Sequence, residues 1–261
     1  MTQDAQPQPE DATQADSEKA APLNAKEEAT EFAKTLGFAL IFALVIRMFF
    51  FEPFNIPSGS MKPTLLVGDY LVTSKRAYGY GQYTFSLFFK FYVPAPFDGR
   101  AFAKDPKRGD VAVFFVPSAG DNYIKRIVGL PGETIQVRRG RLYINDKLVP
   151  REPVGLHKED SGETLVEYIE TLPDGIIHRI YERSDDEPLD NTERFVVPEG
   201  HLFMMGDNRD NSQDSRVTQG VGFVDFGNIV GRADRLFFSH NNKARIWEAV
   251  SYTHLTLPTK A

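Results

Sequence analysis

A serine in a tight turn and a lysine in a strand-like run, 65 residues apart, are the two side chains whose types and settings could do chemistry together. The serine is Ser60, within Ile56-Pro57-Ser58-Gly59-Ser60-Met61, and the lysine is Lys125, within Tyr123-Ile124-Lys125-Arg126. A serine hydroxyl attacks nothing at neutral pH until a neighbouring base takes its proton. A lysine serves as that base when apolar surroundings strip water from its amine and lower its pKa. Acyl transfer by a Ser-Lys pair is the chemistry these types imply. Gly59 is expected to permit the turn and a close approach of substrate, while Pro57 and Pro63 restrict the flanking chain. Ser58 is a competing nucleophile, and Lys62 and Lys75 are rival bases. Lys62 would need an unusual turn to fold back onto Ser60, and Lys75 reads as a solvated strand end.

A third block, Gly206-Asp207-Asn208-Arg209-Asp210-Asn211-Ser212-Gln213-Asp214-Ser215-Arg216, is too polar for anything but a loop or turn. Turn-forming Asx residues and local Asp-Arg pairs would explain it without chemistry. Its carboxylates suggest calcium, but the EF-hand pattern fails. Counting from Asp210, the sixth place holds no glycine and Val221 stands where a bidentate acid belongs. His157, His178, His201, His240 and His254 sit in no recognisable motif, and no Gly-x-Ser-x-Gly elbow, His-Glu-x-x-His helix or phosphate loop occurs.

The elements that must position these groups are read from patterning. Residues 1–31 are rich in Gln, Asp, Glu, Ala and Pro and read as a disordered acidic tail without the basic start of a cleavable signal peptide. Residues 32–52 read as a transmembrane anchor: between Phe32 and Phe51 only Lys34 and Arg47 are charged. About twenty helical residues cross a bilayer core of about 30 Å. Lys19, Lys26 and Lys34 ahead of the span point to a cytoplasmic N-terminus, against which Arg47 counts. From Pro53 the pattern is mainly β. Short runs at Asp69–Lys75, Asp110–Val116, Tyr123–Val128, Glu133–Val137, Arg141–Val149, Arg194–Val197, His201–Met205 and Arg232–Phe238 are separated by Gly, Pro and Asp. Asn145-Asp146 reads as the turn of a tight hairpin. The expected fold is therefore an N-terminal transmembrane helix followed by an extracytoplasmic β-barrel or packed-sheet domain over 53–250.

Two insertions interrupt that domain. The one near 78–105 carries six Phe and four Tyr between Tyr78 and Phe102, fitting either a hairpin over the core or a surface that dips into the bilayer interface. The other, 152–193, is polar and acidic and reads as a surface excursion without chemistry. Net charge narrows the partners. Of the formal −6, residues 1–35 contribute −5, with eight acids against three lysines. The rest is nearly neutral without a basic stripe, which argues against nucleic acid. The chain has no cysteine, which removes disulfides and cysteine-metal sites.

In order, the apolar anchor, Pro57-Ser58-Gly59-Ser60-Met61, Pro63-Thr64-Leu65, Gly68-Asp69, Lys107-Arg108-Gly109-Asp110-Val111, Tyr123-Ile124-Lys125-Arg126, Gly129-Leu130-Pro131-Gly132 and Gly206 to Arg216 resemble bacterial signal peptidase I. The resemblance runs from about Phe51 to Ser239. It implies a membrane-anchored serine endopeptidase that removes signal peptides from exported preproteins after small residues. Ser60 would be the nucleophile and Lys125 the general base. Ser58 would join the Ser60 amide in the oxyanion hole, Ser212 would orient the Lys125 amine, and Asp214 and Arg216 would form a supporting pair. Phe54, Ile56, Leu65, Tyr123 and Ile124 would line shallow pockets for small side chains. No metal or organic cofactor follows from it; the partners would be signal peptides and the lipid bilayer. The location would be the inner (cytoplasmic) membrane, single-pass, with the catalytic domain on the periplasmic side. A specialised Ser-Lys maturation peptidase of a secretion or conjugation system, or an inactive anchored binding domain, are the alternatives. Residues 251–261 depart from the family's pattern and read as a non-native tail.

Overall fold

The computed structural model describes residues 25–85 and 99–239. The early tail, Phe88, Phe89 and Phe91 of the aromatic insertion, and residues 251–261 lie outside the described residues. Two compact units divide between Phe42 and Ala43.

Helix α1 covers Ala25–Phe49, so it begins within the stretch expected to be a disordered tail. Glu27 and Glu28 in its first turn and Arg47 in its last suit the polarity of a helix dipole. Among the described residues it is the one helix long and apolar enough to cross a membrane, with mean hydropathy 1.9 over its most apolar 18 residues.

The second unit is mainly β, as the alternating runs predict. Its strands begin with β1 (Phe51–Asn55), β2 (Asp69–Ser74), β3 (Val111–Val116) and β4 (Asp121–Gly129). Next come β5 (Thr134–Arg138), β6 (Arg141–Ile144) and β7 (Lys147–Leu148). The polar insertion supplies β8 (Arg151–Lys158), β9 (Thr164–Leu172) and β10 (Ile176–Glu182). The chain closes with β11 (Phe195–Val196), β12 (His201–Met205), β13 (Val224–Asp225) and β14 (Ile229–Ser239). One sheet of seven strands runs β1-β2-β14-β3-β4-β12-β13; a second runs β11-β5-β6-β7, and a third β10-β9-β8. All ladders between these strands are antiparallel. The β6–β7 turn takes Asn145 and Asp146 into the left-handed region, with φ of 52° and 60°, as a two-residue hairpin requires.

One expectation is corrected here. The 152–193 segment is a three-stranded antiparallel sheet rather than a surface excursion, and its strands bury Leu165, Leu172 and Ile180. Leu172 packs in the same apolar cluster as Val128 and Met205 of the large sheet. The flanks of the aromatic insertion cover the core: Tyr78 is buried and donates to Asp110 at 2.8 Å, and Tyr83 stacks on Phe115 with centroids 4.3 Å apart. Phe102, by contrast, is 83% exposed.

Candidate active site

The turn carrying Ser60 is pinned from below. After β1 the chain enters a single 3-10 turn, Gly59–Met61, and Ile56, Met61 and Leu65 drop into one apolar cluster with Leu71, Val111 and Val113. Apolar burial on both sides of the turn fixes the two serines between, with Ser58 exposed and Ser60 buried. Gly59 has no left-handed φ, and a Cβ there would meet Lys62 Cε at 3.4 Å, an ordinary contact. The turn therefore does not depend on glycine's conformational freedom, contrary to the expectation.

Lys125 projects from β4, which lies between β3 and β12, its residue opposite Ala112 of β3. The first four residues of β4 are half-exposed, but Lys125 begins its buried stretch and is only 4% exposed. Its Nζ donates to Ser60 Oγ at 2.7 Å and to Ile124 O at 3.0 Å. Burial drives its pKa down from the usual lysine range to about 8, against the pull of the Asp214 and Asp207 charges and with the help of Arg216. Ser58 Oγ stands 3.4 Å from Ser60 Oγ.

The rival lysines are committed elsewhere. Lys62 Nζ donates to Glu159 Oε2 at 2.6 Å. Lys75 is fully buried, not solvated, because it lies 3.0 Å from Glu52.

The polar block folds over the nucleophile as a clamp. Asn208 N donates to Ser60 O at 3.0 Å, and Asn208 Nδ2 donates to Gly59 O at 3.1 Å. Arg126, next to Lys125 and fully buried, reaches Asp207 through Nε at 2.8 Å and Nη2 at 2.6 Å. Asp207 also accepts from Thr64 Oγ1, so one carboxylate ties the Lys125 strand to the segment that follows the Ser60 turn. Arg216 pairs with Asp214 through Nε and Nη2, each at 2.9 Å, as the resemblance implies. Asp214 in turn accepts from Gly206 N at 3.0 Å. Ser212 comes to the site with its buried hydroxyl beside the Asp214 carboxylate, and no bond to the Lys125 amine is formed.

A cleft of about 320 Å³ opens on the pair, lined by Pro57, Ser58, Ser60, Asp121, Asn122, Tyr123, Ile124, Lys125, Asn211 and Gln213. Of the five residues that the resemblance assigns to substrate pockets, Tyr123 and Ile124 line this cleft. Phe54, Ile56 and Leu65 are absent from the lining, because Ile56 and Leu65 are the buried pins of the turn and Phe54 packs on their cluster. Asn122 and Gln213 were not singled out from sequence. Asn122 lies on the same strand as Lys125 and Gln213 next to Ser212, so proximity in sequence was the only available signal.

With this geometry in view, the likeness to known proteins is informative. The family described as "Signal peptidase, peptidase S26" matches residues 29–238. The chain belongs to that family. It is 44% identical over 216 residues to "Signal peptidase I" of Rickettsia typhi, a match covering 80% of each chain. It is 42% identical over 213 residues to "Signal peptidase I" of Rickettsia canadensis, covering 79% of this chain and 78% of the relative. A crystal structure of a signal peptidase I from Enterococcus faecalis is 29% identical, with TM-score 0.31, covering 49% of this chain and 97% of the other. The family makes this chain a signal-peptide-cleaving serine peptidase.

Proposed function

We propose that this signal peptidase works as a Ser60–Lys125 dyad at a membrane surface, cutting signal peptides from exported preproteins. The 2.7 Å contact between Lys125 Nζ and Ser60 Oγ is the observation that carries this reading. A lysine brought to about 8 is neutral in a useful fraction near neutral pH, which a fully solvated lysine is not. The neutral amine takes the Ser60 proton as Oγ attacks the scissile carbonyl. The Ser60 N–H and the Ser58 hydroxyl are the donors assigned to the oxyanion. Lys125, now an ammonium, returns its proton to the leaving amine, and the freed amine then activates the water that hydrolyses the acyl-enzyme. Ser212, whose buried hydroxyl lies beside Asp214, is assigned to orient the Lys125 amine when a peptide closes the site. Asp214 and Arg216 are assigned a supporting role rather than a chemical one.

The peptide is expected to lie extended along the cleft, with main-chain bonds giving affinity and Tyr123 and Ile124 limiting the side chain before the cut to small residues. Residues 53–250 form the catalytic domain and α1 the anchor. Its exposed Phe32, Phe38, Ile41 and Phe42, and the exposed Leu66 and Val67 close after Ser60, fit a lipid surface. The N-terminus is assigned to the cytoplasm and the catalytic domain to the periplasmic face of the inner membrane.

The test is to incubate the detergent-solubilised protein with a preprotein and locate the cut by mass spectrometry. Cleavage after a small residue is expected, with no product from Ser60→Ala, Lys125→Ala or Lys125→Arg. The double Ser60→Ala, Lys125→Ala variant should be little worse than either single one, since both serve one step. A folded Lys125→Ala protein that cleaves at the wild-type rate would end the dyad reading. Protease added outside spheroplasts should digest the β domain; digestion of the tail alone would reverse the orientation.

A further inference from the structure

Away from the cleft, three carboxylates from separate segments converge. Glu182 closes β10, Asp190 follows in a turn whose Glu187 N–H it accepts at 2.7 Å, and Asp210 lies in the 3-10 turn Arg209–Asn211. One oxygen from each lies within 4.8 Å of those of the other two. Glu182 and Asp190 are buried, at 2% and 1% exposure.

Burial pushes the Glu182 carboxyl up to about 8, although Arg209 and Arg151 both act on it. Arg151 Nη1 takes Glu182 Oε1 at 3.0 Å, and the same guanidinium also serves Asp185. Glu182 Oε2 is left buried without a hydrogen-bond partner. Asp210 divides the same way: Oδ2 accepts the Arg183 N–H at 2.6 Å, while Oδ1 is buried without a partner. A buried carboxylate oxygen with no donor is costly, and two of them in one cluster ask for a bound cation or ordered water.

We propose that Glu182, Asp190 and Asp210 hold a hard divalent cation of the calcium type, which ties the β8–β10 sheet to the loop that carries Ser212. A donor set of carboxylate oxygens, without His or Cys, suits calcium, magnesium or manganese rather than zinc. A calcium ion bound at about 2.4 Å keeps opposite oxygens about 4.8 Å apart, so the cluster takes the ion with little rearrangement. Magnesium demands a tighter octahedron and gives up its water reluctantly, which makes it the weaker fit. Because the donors come from three segments, a linear calcium-loop pattern read from Asp210 does not find them.

The position gives the site a consequence. Asp210 precedes Asn211, which lines the cleft, and lies two residues before Ser212. The same region is already stitched to the insertion by Tyr181 N, which donates to Asp207 O at 2.8 Å, and by the buried Arg209–Glu170 pair. The cation adds a further tie between the insertion and the loop.

The test uses the full chain in detergent, stripped with chelator and titrated with calcium chloride by calorimetry. One saturable site per chain is expected, weakened at least about tenfold in both Glu182→Gln and Asp190→Asn. Tm should be higher in millimolar calcium than in chelator, and amide exchange at 182–190 and 207–211 should slow. A wild-type protein with no saturable calcium binding overturns the proposal, and so does binding that both variants leave unchanged. Should the variants fail to fold, wild-type exchange decides: calcium that leaves those two stretches as they were overturns it.

Discussion

Lys125 Nζ sits 2.7 Å from Ser60 Oγ, and the two carboxylates whose charge reaches that amine are each held by an arginine. Asp214 is bound by Arg216, and Asp207 by Arg126, all four side chains being buried. The arrangement matters because an unpaired buried carboxylate near Lys125 would stabilise its ammonium and disarm the base. Pairing leaves burial as the dominant influence, and burial favours the neutral amine.

Under the dyad mechanism, kcat/KM should rise with pH along one limb with its midpoint near 8, where Lys125 loses its proton. A pH series with a fixed preprotein peptide checks this; a rate flat from pH 6 to 9, about the range in which such a base titrates, would contradict it.

The same shift has a cost in stability whose sign is fixed. The folded state releases the Lys125 proton at about 8, whereas the unfolded chain holds it to the ordinary 10.5. The penalty is absent above the unfolded value, grows as pH falls, and is complete below the folded one, where it amounts to about 3 kcal/mol. Lys125→Met should therefore be inactive yet melt higher than wild type at pH 7, with the advantage fading as the pH approaches 10.5. Equal thermal scans at pH 7 would show that burial does not strain the amine.

Arg216→Met should move the activity limb to higher pH. It removes a charge that lowers the Lys125 pKa and leaves the Asp214 charge, which raises it, uncompensated. Arg216→Lys keeps the charge and should shift the limb less. A purely structural role would reduce the rate at every pH without moving the midpoint.

How much of this was legible depends on whether the signal was local. The β6–β7 hairpin was readable because Asn-Asp supplies two left-handed residues in sequence. Ser60 and Lys125 were readable as a pair only because the surrounding motifs resembled a family; a Ser-Gly-Ser turn or one strand lysine says little alone. The polar block looked like local Asp-Arg pairs, which is true of Asp214–Arg216. Asp207 instead pairs with Arg126, 81 residues away, and no local pattern announces that. The strands of the insertion were hidden because much of what they bury is charged, including Glu170, His178 and Glu182. The core role of Ile56 and Leu65 beneath the Ser60 turn was not legible, because apolar type alone does not say which neighbours a side chain packs against.

Gly206 is a position where added size should be costly. A Cβ there would lie 2.2 Å from Ser212 Oγ, 2.6 Å from Ser212 Cβ and 2.6 Å from the Ser60 carbonyl oxygen. The Ser60 carbonyl is backbone and already accepts from Asn208 N, so it has little room to yield. Gly206→Ala should destabilise the protein by about 1–3 kcal/mol. It should also lower kcat by about 100-fold, since displacing the nucleophile by about 1 Å is enough for that. A folded variant with wild-type kcat would mean the loop relaxes away from Ser60 freely.

His178 gives the last prediction, and it reverses what its place in a polar insertion suggests. The ring is 1% exposed, with Nε2 3.3 Å from Glu170 Oε2 and 3.9 Å from Asp207 Oδ1. Glu170 binds Arg209, and Asp207 binds Arg126, so the imidazole fills the gap between two ion pairs, one of which reaches the strand of Lys125. Burial, and then the Arg126 charge, push its pKa below the ordinary histidine value, so the ring is neutral at neutral pH. His178→Ala would open a void between these pairs and cost about 2 kcal/mol. In a domain of this size that is a fall in Tm of about 4–8 °C. His157 and His201 are partly exposed and should tolerate Ala. Because the folded chain binds fewer protons at His178 than the unfolded one, wild-type stability should drop as pH falls below about 6.5, and the Ala variant should lose part of that dependence. Parallel melts of the three variants across pH 5 to 8, about the range of histidine titration, decide it. If His178→Ala melts with the other two at every pH, the ring is a passenger and the coupling between insertion and site rests on the other ties, among them Arg209–Glu170 and the Tyr181 N–H to Asp207 O bond.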